Sequence, residues 1–422
     1  MADDVGTPGA VPVAGNGLLG RRALLRGGLG GAALLVPGFT GAAERPPWMR
    51  APGTGMREYG APSPLEAHVR RVGIASQPGT DGSGASRTPL ELLEGTLTPN
   101  GLHFERHHSG VPAIDPGAHT LLVHGLVRRP LTFDLDALAR YPLETRLQFL
   151  ECSGNSAVNI LSPVPADQPC GVIHGLVSQS EWVGVPLGVL LEEAGLRPEA
   201  RWIVAEGADA AAMSRSVPLE KALDDAIVAL YQNGERLRPE NGYPMRLFLP
   251  GWEGNMSVKW LRRLRVTDRP AMTKDETSKY SDLLPDGTAE LFTFPMGVKS
   301  VITRPSRGVG LRERGVYAIS GLAWSGAGRV RRVEVSADGG GSWAEATLEP
   351  AAAPKALQRF RIAWRWDGGP AVLLSRATDE TGAVQPTRTS ILEARGRNAF
   401  YHFNGIQAWR VDADGSVANH YA

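Results

Sequence analysis

The chain has 422 residues, which at roughly 100–200 residues per domain allows two or three domains. Hydrophobic residues make up 42% and charged residues 21%, ordinary for a globular protein with a real core, and 45 Lys+Arg against 44 Asp+Glu leave a formal charge of +1, so there is no global basic field and nucleic acid is excluded as the expected partner. Two cysteines exclude a disulfide framework, a Cys-rich zinc module and a self-ligated iron–sulfur cluster.

Near the N-terminus, Gly20-Arg21-Arg22-Ala23-Leu24-Leu25-Arg26 precedes an apolar run, Leu29 to Val36, that is too short to cross a bilayer as a helix. Pro37-Gly38 breaks that run, and Gly41-Ala42-Ala43 offers the small residues a signal peptidase prefers. Paired arginines ahead of a weakly apolar, Gly/Ala-rich segment resemble a twin-arginine export signal over residues 1–43 and predict a periplasmic protein without a membrane span. The competing reading is a basic, flexible arm. That export route carries folded proteins, often with a cofactor already bound, which directs attention to a cofactor held by few covalent ligands.

With 51 Gly and 32 Pro, about a fifth of the chain, the composition favours strands and loops over a helical bundle. Residues 44–88, rich in Pro, Gly, Ser and Arg, read as an N-terminal extension or linker. From Thr120 the pattern turns strand-like: Leu121 to Val127, then Thr132 to Leu138 as a strand running into a short capped helix, then Leu147 to Leu150. Val185 to Ala194 has helical spacing and stops at Gly195, while Met245 to Gly251 and Val258 to Leu261 read as strands. Strands and short helices without a regular βαβ repeat predict an α+β domain over 89–268. Residues 269–288 read as a connecting loop. Beyond them almost nothing reads as helix: Val330 to Ser336 and Trp343 to Leu348 form a hairpin pattern around Gly339-Gly340-Gly341, and Arg359 to Trp366 and Ala371 to Ala377 follow as strands. A β-sandwich over 289–422 is the expectation.

Cys152 lies where a strand gives way to a Gly-Asn turn, in Leu-Glu-Cys-Ser-Gly-Asn, a place where backbone can approach a ligand closely. Taken alone, an inert buried thiol, or a disulfide with Cys170, reads at least as well. Three segments shift that balance. Phe104-Glu105-Arg106-His107-His108 joins an aromatic ring, a guanidinium and two imidazoles, without ordinary zinc spacing. Arg246, Ser257-Val258-Lys259 and Arg262, Arg263 and Arg265 make a locally basic run that suits an anion or phosphate pocket, or a charged strand face. Lys279-Tyr280-Ser281-Asp282 places a tyrosine between the two regions. A cysteine hydrolase using Cys152 with His174 and Asn155, and a non-catalytic exported binding protein, are the alternatives of other classes.

Together the Cys-x-Gly-Asn turn, the Phe-x-Arg-x-His segment, Gly-Tyr-Pro-Met-Arg, Ser-Val-Lys-Trp-Leu and Val-Glu-Val-Ser-x-Asp-Gly-Gly, in that order, resemble the sulfite oxidase family of molybdenum-cofactor enzymes over roughly residues 90–410. The resemblance implies a mixed α/β molybdopterin-binding domain followed by an immunoglobulin-like β-sandwich dimerisation domain. It implies one molybdenum–molybdopterin, with Cys152 as the single protein thiolate on the metal, a role that suits a soft ligand. Phe104, Glu105, Arg106, His107 and His108 would wrap the cofactor, with Arg106 facing the open side of the metal. Asp209, Arg246, Ser257, Val258 and Lys259 match further cofactor contacts, the cations suiting a phosphate, and Asn241 stands where the family places a cofactor-binding histidine. Tyr280 matches the active-site tyrosine.

Departures from the sulfite oxidases proper matter. Their Cys-turn continues with arginines, whereas Ser156, Ala157 and Val158 follow Asn155 here, and their C-terminal pocket arginine is replaced near His402. Fewer cations weaken the grip on a small dianion. Within the family the chain resembles the sulfane dehydrogenase molybdenum subunits of bacterial sulfur-oxidising (Sox) complexes, through His103 to Pro112, Thr277 to Gly287 and His402 to Trp409. That resemblance implies oxidation of sulfane sulfur bound to a carrier protein, with oxygen from water. The alternative is a periplasmic sulfite dehydrogenase acting on the free anion. No haem-attachment Cys-x-x-Cys-His occurs in the chain, so electrons are expected to pass to a separate c-type, dihaem cytochrome, in a homodimer or heterotetramer.

Overall fold

The computed structural model describes residues 12–20, 46–76 and 80–421; Arg21-Arg22, the apolar run and the small-residue site of the expected leader lie outside them. Two strand-rich units follow one another. In the first, a five-stranded sheet orders Ser214–Pro218, Trp202–Gly207, Leu261–Thr267, Leu121–Gly125 and Leu131–Phe133, with one parallel pairing, Leu261–Thr267 on Leu121–Gly125. A second sheet orders Glu235–Arg236, Ile227–Gln232, Val177–Pro186 and Glu144–Glu151, and Arg246–Phe248 pairs with Ile227–Gln232. Leu187, Leu190, Leu191 and Ala194 bury one side of the helix Leu187–Ala194 against the core of this unit, which is the helical spacing doing its expected work. Asp134 caps the single-turn helix Leu135–Leu138 by accepting from the Ala137 amide at 2.7 Å.

The second unit is a sandwich. One sheet holds Lys299–Arg304, Gly315–Trp324 and Gln358–Trp366, and the other holds Val330–Ser336, Ala371–Asp379, Ala408–Val411 and Val417–His420. Tryptophans 324, 364 and 409 are almost wholly buried between them. Phe149, Cys170, Ile173 and Val177 of the first unit belong to the same apolar cluster as the sandwich, so the two units meet over a shared core.

Several local readings change. Val258 to Trp260 is not strand: Trp260 adopts φ 53, the chain turns, and the strand begins at Leu261. The hairpin after Gly341 splits, Ala344–Glu345 pairing back to Val330–Ser336 while Thr347–Leu348 crosses to Gln358–Trp366. The segment read as a connecting loop holds a single-turn helix, Lys274–Thr277, with a Thr273/Glu276 capping box, and the region beyond it contains the helix Arg388–Arg395. Within the stretch read as linker, Val72–Ser76 and Gly84–Arg87 are strands, and they carry Glu105–His107 as the third member of their sheet. Ahead of the arginine pair, Pro12–Ala14 and Leu18–Leu19 form a hairpin on the sandwich edge, with Leu18 paired to Trp364 and Leu19 to Ala363.

Candidate active site

The strand Glu144–Glu151 delivers Cys152 to the wall of a cleft, where the sulfur is buried. The Cys152 amide donates to the Leu176 carbonyl at 2.9 Å and the Asn155 amide returns to the Cys152 carbonyl at 2.9 Å, closing the turn. Burial pushes the thiol up, opposed by the Gly154 amide and the Arg106 guanidinium, so without an electrophilic partner it stays protonated and is a poor free nucleophile. The hydrolase reading fails here. His174 is turned away, Nδ1 to Ser156 Oγ at 2.7 Å and Nε2 to Gln407 Oε1 at 2.9 Å, and burial drives its pKa down to about 3. Asn155 spends its side chain on Glu151 and the Leu176 amide. Both cysteines are free, and the Cys170 thiol sits 3.8 Å from the Ile302 carbonyl, so the disulfide reading fails as well.

Cys152 opens onto a cavity lined by Phe104, Arg106, His107, His108, Asp209, Asn241, Arg246, Ser257, Val258, Lys259 and Tyr280. Every residue that the resemblance assigns to the metal or the cofactor is therefore brought to one place except Glu105. That carboxylate does not line the cavity; it pairs with Arg71 and takes a hydrogen bond from His107 Nε2 at 2.9 Å, so it orients a lining residue. Of the basic run only Arg246 and Lys259 reach the cavity. Arg262 and Arg263 are half exposed and pair with Glu206, which is the charged-strand reading.

Lys259 and Arg246 define the electrostatics. Lys259 Nζ is spent on uncharged partners, the carbonyls of Arg106 at 3.2 Å and Glu240 at 3.1 Å and His107 Nδ1 at 2.7 Å. Arg246 donates to the carbonyls of Asn241 at 3.0 Å and Ser257 at 2.7 Å, and its Nε is buried without a partner. Burial lowers Arg246 to about 9; burial and then the neighbouring Arg246 hold Lys259 well below the ordinary lysine value, with Asp209 and Glu240 offsetting part of this. A buried guanidinium and a half-buried ammonium without a carboxylate at ion-pair distance among the described residues suit an anion. His107 is held neutral, near pKa 3, by burial and by Lys259, and so can accept from the ammonium on Nδ1 while donating to Glu105 from Nε2.

Among the described residues no three His, Cys, Asp or Glu side chains gather to hold a metal ion. A metal beside Cys152 would need most of its ligands from elsewhere. A cofactor that brings its own sulfur ligands and a phosphate fits these residues: one thiolate donor at one wall, two cations without a carboxylate partner at another, and a cavity between.

The sequence did not single out Arg215, which is almost wholly buried, pairs with Glu253 at 3.2 Å and with Glu276 at 3.9 Å, and stands 5.0 Å over the Tyr280 ring. Its strand, Ser-Arg-Ser-Val-Pro, gives no pattern that marks the arginine out. Asn255 and Met213 also line the cavity and carry no signal of their own. His402 donates its backbone amide to the Ser153 carbonyl at 2.8 Å, and its Nε2 meets Glu253 Oε2 at 3.3 Å.

The chain matches the family description "Oxidoreductase molybdopterin binding domain" over residues 108–274 and "Mo-co oxidoreductase dimerisation domain" over residues 291–408. It is 33% identical to mitochondrial sulfite oxidase of Mus musculus over 338 residues, covering 73% of this chain and 61% of that protein. It is 33% identical to sulfite oxidase of Gallus gallus over 330 residues, covering 71% of this chain and 70% of that one. A crystal structure of the sulfane dehydrogenase SoxCD from Paracoccus pantotrophus superposes with a TM-score of 0.88 and 47% identity, covering 90% of this chain and 98% of that one. The chain belongs to the sulfite oxidase family of molybdopterin oxidoreductases.

Proposed function

We propose that the protein oxidises sulfane sulfur carried on a partner protein, with oxygen from water, and passes the electrons to a separate c-type cytochrome. The observation that carries this reading is what has become of the positions beside Cys152. Where the family places arginines, Ser156 is buried against His174 and Lys299, and His402 is turned onto the buried Glu253. Neither position offers a free cation to the cleft. With Arg246 set against the phosphate, Arg106 is the cavity-lining guanidinium left for the substrate, a weaker trap for a small dianion than several arginines and sufficient to orient one anionic group on a larger substrate. The likeness to the Paracoccus sulfane dehydrogenase supports the same substrate class. Free sulfite is the second reading, favoured by the likeness to the sulfite oxidases.

Bound in the cleft, a molybdenum–molybdopterin supplies two-electron oxygen-atom transfer. Cys152 would ligate the metal, Arg246 and Lys259 would neutralise the phosphate, and Asp209, Asn241 and Ser257 would seat the polar groups. Tyr280, with its hydroxyl on a neutral His108, can hold or release a proton at the reacting face. The twin-arginine pattern supports export to the periplasm, and the second domain would join two copies, to which cytochrome subunits add as a heterotetramer.

The test is metal analysis of the chain purified from molybdate-fed cells, then assay with carrier-bound sulfur and with sulfite, using cytochrome c as acceptor. The expected result is one molybdenum per chain and faster turnover of the carrier-bound sulfur. A metal-free native protein overturns the reading, and turnover of sulfite alone replaces it with the second. Cys152→Ser should leave a folded chain with no activity.

A further inference from the structure

The residue before the metal-binding thiol is held from the other domain. Glu151 is almost wholly buried, and three donors converge on its carboxylate: Lys299 Nζ on Oε1 at 3.1 Å, Asn155 Nδ2 on Oε1 at 2.9 Å and Trp324 Nε1 on Oε2 at 2.6 Å. Lys299 and Trp324, both buried, belong to Lys299–Arg304 and Gly315–Trp324 of the sandwich. The same ammonium reaches back into the Cys-turn, donating to Ser156 Oγ at 2.8 Å, and is completed by the Phe403 carbonyl at 2.9 Å. Residues 151, 155 and 156, which frame Cys152, are thus tied to the second domain through one buried charge pair and one indole N–H.

We propose that Glu151 is a positioning residue: Lys299 and Trp324, acting through its carboxylate, fix the direction in which Cys152 presents its sulfur to the cofactor. Stability alone does not account for the pair. Buried ion pairs are commonly replaceable by apolar side chains at no loss, and the interface already has an apolar core through Phe149 and Val177. What the three donors add is geometry. The Cys-turn is otherwise held at residues 153, 155 and 156, by Asn255 on Ser153, the Leu176 amide on Asn155 and His174 on Ser156, and none of these side-chain bonds fixes the residue that leads into Cys152, whose direction needs its own support. A dimerisation-type domain would on this view also be part of the catalytic scaffold.

This inference rests on the proposed cofactor assignment, and the experiment separates the two. Full-length Trp324→Phe, Lys299→Met and the Glu151→Gln/Lys299→Met double variant are purified from molybdate-fed cells beside the parent. Molybdenum and pterin content, melting temperature, the paramagnetic resonance spectrum of the half-reduced metal, kcat and KM are measured. Trp324→Phe keeps an aromatic ring while removing the indole N–H and part of the buried ring volume, so it is expected to fold with a lower melting temperature. The expected outcome is a shifted resonance spectrum and a roughly 10- to 100-fold lower kcat at unchanged KM, or loss of metal from a folded chain. The double variant, which leaves no lone buried charge, should recover melting temperature relative to Lys299→Met without recovering the parent spectrum. Loaded variants with the parent spectrum and kcat, whatever their melting temperature, overturn the positioning role alone. A parent that binds no molybdenum overturns the cofactor assignment and this role together.

Discussion

The Tyr280 hydroxyl lies 2.8 Å from His108 Nε2, and both rings face the cavity that Cys152 opens onto. Burial, with Arg106 adding to it, drives His108 down to about 3, so its Nε2 carries a lone pair and the phenol donates to it. Tyr280 sits in the left-handed region, φ 52, with Arg215 over its ring. Non-glycine residues are held there only when their surroundings insist. Tyr280→Phe keeps the ring between Arg215 and Tyr401 and removes the one donor. Turnover should fall about 100-fold, within the range for loss of a positioned proton carrier, with molybdenum content unchanged. If metal is lost too, the tyrosine is a structural element of the site.

Lys259 and Arg246 should matter for retention of the cofactor more than for the chemical step. Each contributes a charge-assisted contact worth about 1.5–3 kcal/mol to an anion, or roughly 10- to 100-fold in affinity. Lys259→Met should therefore yield folded protein with substoichiometric pterin, losing more on dialysis in high salt than the parent does. Removing the cofactor from the parent should lower its melting temperature, because the buried Arg246 and the half-buried Lys259 then lack a counter-ion. The check is pterin fluorescence per chain before and after dialysis, with thermal melts of both samples.

How far all this was legible depends on the range of the contacts. The Cys-Ser-Gly-Asn turn, the segment 104–108 and Ser257-Val258-Lys259 are short stretches whose order carries the site, and the structure gathers them around one cavity. The capped helix after Asp134 and the helix ending at Gly195 follow from local spacing and capping residues. Glu151, Lys299 and Trp324 were not legible: a buried ion pair across 148 residues and an indole donor across 173 leave no periodic trace. Arg215, Glu253 and His402 are in the same position, since their roles come from a fold that brings together residues 38 and 149 apart. The strand expected at Val258 to Trp260 fails for a local reason. Apolar alternation reads as strand, but Lys259 must turn in to the cavity, and the chain does this by placing Trp260 at φ 53.

Acid should unfold the protein early. His103, His107, His108 and His174 are held at about pKa 3, with burial as the first cause in each, against about 6.5 in an unfolded chain. Between these values the unfolded chain binds more protons than the folded one, so stability is full above about pH 6.5 and is lost as the pH falls towards 3. Each histidine contributes about 1.4 kcal/mol per pH unit in that window. Urea midpoints from pH 7.5 to 5 should drop steeply, and His174→Gln, which can still face Ser156 and Gln407, should flatten the slope by about one proton. A midpoint independent of pH over that range would show that these imidazoles are not buried neutral.

The hairpin ahead of the arginine pair can be tested in the same full-length chain. Leu18 and Leu19 are buried against the strand Gln358–Trp366, the Arg365 amide donates to the Gly17 carbonyl at 2.8 Å, and Trp364 Nε1 donates to the Asn16 carbonyl at 2.7 Å. Gly17 has φ +86, and a Cβ there would stand 2.1 Å from the Arg365 carbonyl oxygen, so no larger residue can hold this register. Among the described residues, the strand pairing of this hairpin to the rest of the chain runs to Gln358–Trp366 alone, so it opens without the rest of the fold. Gly17→Val should release it: amide exchange at Arg365 should accelerate at least tenfold, the melting temperature should fall by a few degrees at most, and cofactor content should not change. A chain cleaved after the expected leader should exchange like the variant. If Arg365 exchanges at the same rate in the full-length parent and in Gly17→Val, the segment does not dock on the sandwich.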